Sequence, residues 1–191
     1  MAAIASTSMV CLGYAWLIPN YAQMAIGAGA KVSGLVMIPG CVATMLLSPV
    51  AGRLLDRIGP RFPIAAGATL MLIGAILLCT RPLNGAWGLA VWYLLSGMGQ
   101  GFLASPSMTY GLSSLNDGLR ADGTSVCNAL QQLGGSIGVS SVAAAVGAAQ
   151  ISAGDNTAGM IMGGQMAFVL LTLVVVGVAV FSTIALRFAE P

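Results

Sequence analysis

Apolar residues run along this chain in long uninterrupted stretches, and charged residues mark where the stretches end. Six of them contain no Asp, Glu, Lys or Arg: 1–30, 32–52, 62–80, 82–116, 123–154 and 156–186. A helix that crosses a bilayer needs about 20 mostly apolar residues, and each stretch supplies them. Barrel strands are about 10 residues long with alternating polarity, and these stretches do not alternate. Only helices and closed barrels satisfy every backbone N–H and C=O inside lipid. The pattern therefore predicts an all-α membrane protein, one domain over 1–191, with six transmembrane helices at 3–25, 32–52, 62–80, 85–110, 124–149 and 164–187. The longest connections are expected over Gly111–Gly123 and Ile151–Gly163. Pro39, Pro49 and Pro106 are expected to break the second and fourth helices locally.

Composition sharpens this picture. The 191 residues include only seven basic and five acidic side chains, 6% of the chain, against about 25% in a typical soluble domain. Apolar residues make up 58% and the mean hydropathy is +0.94, so too little polar surface is available for a soluble fold. The 26 glycines fit close approach of membrane helices. Nothing at the start resembles a cleaved signal peptide. A cytoplasmic N-terminus places Arg53, Arg57, Arg61, Arg120 and Arg187 inside and leaves only Lys31 and Arg81 outside. The positive-inside bias thus favours both termini in the cytoplasm of a multi-pass plasma (inner) membrane protein.

The same inventory limits the chemistry. There is no His, which excludes His-based acid–base catalysis and His-ligated metals. Cys11, Cys41, Cys79 and Cys127 are widely spaced in apolar surroundings and read as small buried side chains. No nucleophile–base pair is visible, so the chain is not read as an enzyme, and no metal, cofactor or nucleic-acid partner is expected. Gly97-Met98-Gly99-Gln100-Gly101 superficially suggests a nucleotide loop. It lies inside a charge-free run with no strand before it, and that reading is set aside.

Four charges crowd into Gly52-Arg53-Leu54-Leu55-Asp56-Arg57-Ile58-Gly59-Pro60-Arg61, between the second and third predicted helices. Basic residues alone would make a cytoplasmic anchor. Asp56 adds a carboxylate suited to pairing with Arg and to capping a helix N-terminus. Gly52 would let a neighbouring helix come close, and Gly59 would allow a turn with positive φ.

The pattern G-x-x-x-D-R-x-G-x-R in this loop resembles the signature of the major facilitator superfamily, at the position where a six-helix half carries it. Pro19-Asn20-Tyr21-Ala22-Gln23, Ser33-Gly34-Leu35 and Pro39-Gly40 are similar to the seam between the first two helices of the C-terminal half of fourteen-span drug:proton antiporters. Ala121-Asp122-Gly123-Thr124-Ser125, Asn128 and Gln132-Leu133-Gly134-Gly135-Ser136-Ile137-Gly138 resemble that half's fifth helix. The resemblance implies a bundle of two inverted three-helix repeats, alternating access about a central cavity, and efflux of a lipophilic or cationic small molecule by proton antiport. It implies a partner as well: an N-terminal half, in the same longer chain or a separate one, or a second copy in a homodimer. The alternatives are a truncated or fragment chain without transport activity of its own, and a membrane assembly or binding protein derived from the bundle.

No ionisable residue lies in the middle of a predicted span, so a titrating acid is expected on the N-terminal half. What remains is uncharged. In this family the first and fourth helices of each half line the cavity, which makes Asn20, Gln23, Tyr93, Ser96 and Gln100 substrate-facing candidates, with Asn128 on the fifth helix. Tyr93, Ser96 and Gln100 share a helix face by their 3–4 spacing. The same amides would equally serve by bonding across helices. Gly97 and Gly101, and Gly134 and Gly138, form small-xxx-small packing faces. Gly52, Arg53, Asp56, Arg57, Gly59 and Arg61 form the candidate cytoplasmic latch.

Overall fold

Long apolar runs without charge leave the backbone no partner but itself, and the chain responds with helices. The computed structural model describes residues 2–80, 85–113, 116 and 119–188. Among the described residues there are seven helices and no strand: α1 (Ala2–Met24), α2 (Ala30–Leu35), α3 (Ile38–Ile58), α4 (Arg61–Thr80), α5 (Gly85–Ser113), α6 (Arg120–Ala153) and α7 (Asn156–Phe188). Four stretches, 30–58, 61–80, 120–153 and 156–182, are each long and apolar enough to cross a membrane. Arg81, used above to set orientation, lies outside the described residues, as does the side chain of Arg187.

Two of the sequence expectations change. The second predicted span is divided into α2 and α3 by a turn at Val36–Met37, where Met37 N–H donates to Gly34 O at 3.2 Å. Pro39 falls in the first turn of α3, where a missing N–H costs nothing. It marks a helix start, whereas Pro49 and Pro106 sit inside continuous helices. The connection expected over Ile151–Gly163 is almost entirely helical. Gly154, at φ 65°, ends α6 in the left-handed conformation that favours glycine. Asp155 then caps α7, its carboxylate accepting from Thr157 N at 3.2 Å and Ala158 N at 3.4 Å.

The helices form two layers. α3, α5, α1 and α6 lie side by side in that order, and α4 and α7 back them. Two crossings within the front layer are set by glycine. A Cβ on Gly97 would stand 2.9 Å from Gly40 Cα, and one on Gly101 3.0 Å from Thr44 O, so α5 runs parallel to α3 at backbone contact. A Cβ on Gly134 would stand 2.8 Å from Ala5 C, and one on Gly138 2.8 Å from Met9 C, so α6 runs parallel to α1 in the same way. Thr44 Oγ1 locks the first crossing by donating to Gly97 O at 2.9 Å and Gly40 O at 2.9 Å. The interior between the layers is filled by Tyr14, Leu17, Ile18 and Tyr21 of α1, Met71 and Leu78 of α4, Leu89 and Leu103 of α5, and Phe168 and Leu171 of α7. Phe168 meets Tyr21 edge-on at 5.5 Å between ring centroids.

Candidate functional site

α1 packs against both α5 and α6, yet α5 and α6 barely meet each other. The gap between them is a cleft of about 310 Å³ with α1 as its floor. α1 contributes Thr7, Ser8 and Cys11, α5 contributes Gln100 and Ser107, and α6 contributes Gln131 and Gln132. Ile4, Leu12 and Ala104 complete the lining. No charged side chain is among these residues. The volume is at the low end of the range for small-molecule sites, about 300–1,000 Å³, and the mix of apolar wall and a few polar groups is typical of them.

The cleft uses the first residues of α1, the later part of α5 and the early part of α6. These three stretches meet because α1 and α6 run parallel while α5 runs against them. The cleft therefore sits toward the end of the bundle that holds the N-terminus and the α3–α4 turn. Tyr93 and Ser96, two turns and one turn before Gln100, instead enter the interior, where they are 6% and 4% exposed. The Tyr93 ring covers Gly40, and its hydroxyl is 4.0 Å from Cys41 Sγ. Ser96 backs onto Gly74 of α4. Ser96 Oγ and Tyr14 Oη are both buried, and neither makes a hydrogen bond of good geometry among the described residues. Asn20 lies near the far end of α1, and its Nδ2 donates to Trp16 O at 2.6 Å within the same helix. Gln23 is exposed at that far end, and Asn128 is exposed one turn before Gln131 and Gln132. Of the six candidates from the sequence, the structure brings Gln100 alone into the cleft.

The residues that join Gln100 were weak signals. Ser8 and Cys11 are small polar residues in an Ala-rich helix, and Thr7 is one turn from Cys11 on that helix. A period of three to four residues along Ile4, Thr7, Ser8 and Cys11 was the available clue.

The charged turn has its own geometry. Gly59 takes φ 81°, the positive value that a Cβ resists. At Gly52 the nearest atom to an added Cβ is Ser105 Oγ at 3.9 Å. That is an ordinary contact, so packing does not require glycine there. Asp56 lies in the last turn of α3, before the bend, and does not cap α4. No ion pair to Asp56 is found among the described residues, and Arg53, Asp56 and Arg57 are all exposed. A carboxylate at a helix C-terminus faces the negative end of the helix dipole.

Comparison with known proteins places this architecture. A sequence model of the Major Facilitator Superfamily matches residues 1–139. The lincomycin resistance protein LmrB of Listeria innocua is 37% identical over 132 residues, 68% of this chain and 28% of that protein. The LmrB of Bacillus subtilis is 30% identical over 145 residues, 74% of this chain and 30% of that protein. The multidrug resistance protein Stp of Mycobacterium tuberculosis is 27% identical over 138 residues, 72% of this chain and 26% of that protein. The chain thus spans little more than a quarter of the length of the relatives it matches. The chain belongs to the Major Facilitator Superfamily and is an integral membrane protein.

Proposed function

From that membership we propose that the chain is the C-terminal six-helix half of a drug exporter in the plasma membrane, with both ends in the cytoplasm. The observation that carries the reading is the cleft between α5 and α6: a polar recess with a floor and two sides, on a helix layer that no other described helix covers. A second bundle facing that layer completes a central cavity. Rocking of the two bundles opens it alternately to each side of the membrane. The second bundle is the N-terminal half, in the same longer chain or a separate one, or another copy of this chain. Several relatives are named as drug resistance proteins, which supports efflux and suggests lincomycin as a first substrate to try.

Proton antiport is part of the proposal. The described acids Asp56, Asp122 and Asp155 all stand at helix ends, so the proton carrier is assigned to the facing bundle. Asp56 and its neighbouring arginines act as the cytoplasmic latch, with Asp56 meeting its partner on that bundle.

The test is lincomycin uptake into everted vesicles carrying the intact gene product. Energised vesicles should accumulate the drug, and a protonophore should abolish the gradient. Accumulation equal to that of vesicles without the protein would sink the reading. Accumulation that survives the protonophore would remove proton coupling and leave efflux.

A further inference from the structure

The cleft has a chemistry that narrows what it accepts, and this inference rests on the efflux reading above. Its polar lining is amide and hydroxyl: Gln100, Gln131, Gln132, Ser8 and Ser107. The side chains of Gln131, Gln132, Ser8 and Ser107 make no hydrogen bond among the described residues. Gln131 is half-buried and Gln132 exposed, so these amides face the recess with donors and acceptors to offer. Each carboxamide carries both an N–H₂ donor and a C=O acceptor, and each hydroxyl does the same.

Charge is absent for a deeper reason than side-chain placement. The helix stretches that form the floor and walls belong to the charge-free runs 1–30, 82–116 and 123–154. No rotamer of any residue there brings a carboxylate or an ammonium into the cleft. A cationic group entering it would lose water and gain no counter-charge from this half, a penalty that hydrogen bonds do not repay. A neutral amide or hydroxyl would exchange its water contacts for matched partners at little cost.

We propose that the α1–α5–α6 cleft is a subsite for an uncharged, hydrogen-bonding part of the substrate, an amide- or hydroxyl-bearing group, and discriminates against a cation. Its volume of about 310 Å³ equals that of roughly ten waters at about 30 Å³ each. That is room for one such group, with the remainder of a larger substrate lying against the facing bundle.

The experiment is equilibrium binding to the intact gene product in nanodiscs with two probes. Chloramphenicol is neutral and carries an amide and two hydroxyls. Tetraphenylphosphonium is a permanent cation with no hydrogen-bonding group. Gln131→Met keeps the length of the side chain and removes its amide. It should weaken chloramphenicol about fivefold, the worth of one hydrogen bond, and leave tetraphenylphosphonium unchanged. Gln131→Glu puts a charge at the wall and should tighten tetraphenylphosphonium severalfold while weakening chloramphenicol. The proposal is overturned if the wild-type protein does not bind chloramphenicol, if Gln131→Met leaves chloramphenicol unaffected, or if it weakens both probes equally. None of those results touches export of tetraphenylphosphonium, so the transport reading would survive them. A protein that binds chloramphenicol through Gln131 but exports neither probe would lose the transport reading and keep the subsite.

Discussion

Replacing Gly97 by Ala is the sharpest probe of what holds α3 against α5. A methyl there would stand 2.9 Å from both Cα and C of Gly40, with the Gly40 carbonyl oxygen nearer still. Carbon atoms prefer about 3.5–4.0 Å, so the helices must part by roughly 0.6–1 Å. All three neighbours are backbone, and no flexible side chain is available to move aside. Parting also stretches the bond from Thr44 Oγ1 to Gly97 O, now 2.9 Å. Overpacking of this kind costs about 1–3 kcal/mol, and a membrane hydrogen bond averages about 0.6 kcal/mol. Against this, Ala is favoured over Gly in a helix by up to about 1 kcal/mol. The net expectation is a loss of about 1–2.5 kcal/mol. Gly101→Ala meets Thr44 O at 3.0 Å and Leu47 Cβ at 3.2 Å, a milder squeeze that should cost under about 1 kcal/mol. Gly147→Ala and Gly177→Ala meet nothing within 4 Å and should be neutral or stabilised by up to about 1 kcal/mol. SDS titration of the purified protein in dodecylmaltoside, followed by circular dichroism, gives the order. The reasoning fails if Gly97→Ala is as stable as wild type, or if Gly147→Ala loses as much.

Three further outcomes follow from individual side chains. Tyr21 is fully buried and its Oη has no hydrogen-bond partner among the described residues, so Tyr21→Phe keeps the ring contact with Phe168 and should be neutral or stabilising by about 1 kcal/mol. A loss of more than about 1 kcal/mol in the same SDS titration would mean that the hydroxyl is bonded after all. Asp155→Ala removes the cap of α7 and should cost about 1 kcal/mol, and Asp155→Asn should restore most of it; equal loss in both variants would point away from capping. Asp56→Asn in the intact gene product should shift the inward/outward ratio read by maleimide labelling of an engineered cleft cysteine, and an unchanged ratio would refute the latch.

Most of the fold was legible because charge in this chain is confined to places where helices end. Lys31, Arg53, Arg61, Arg120 and Asp155 all lie at or near helix ends, and the charge-free runs between them became helices. What the runs concealed were events that need no charge. The break at Val36–Met37 lies inside one run and is marked only by Pro39 just beyond it. The start of α7 was placed too late because Asn156, Thr157, Gly159 and Gly163 read as loop residues. In the structure Gly159 and Gly163 are small for another reason: an added Cβ would meet Gln150 N at 2.9 Å or Val146 Cα at 2.7 Å on α6. Glycine at a helix crossing and glycine in a loop look alike in sequence, and only the partner helix separates them. The Gly154–Asp155 pair was a usable stop-and-start signal that the sequence reading passed over.

The site was less legible because it depends on which helices avoid each other. Helix faces are readable from spacing, but Tyr93, Ser96 and Gln100 share a face and still divide between interior and cleft: Tyr93 packs on Gly40 of α3 and Ser96 on Gly74 of α4, while Gln100 lines the gap beside α6. The cleft itself follows from the glycine crossings. Gly97 and Gly101 draw α5 onto α3, while Gly134 and Gly138 draw α6 onto α1. Each of the two helices spends its close-contact face on a different neighbour, and the faces they turn to each other carry long amides instead of glycine. Two such helices resting on a common floor stay apart here, and their half-buried or exposed Gln side chains line the gap between them. Packing and chemistry thus have one cause here: where glycine lies the helices touch, and where Gln100, Gln131 and Gln132 lie they stay apart. A bulkier residue at Gly134 should therefore move α6 relative to α1 and alter the cleft's shape without altering its lining, which separates the width of the site from its hydrogen bonding.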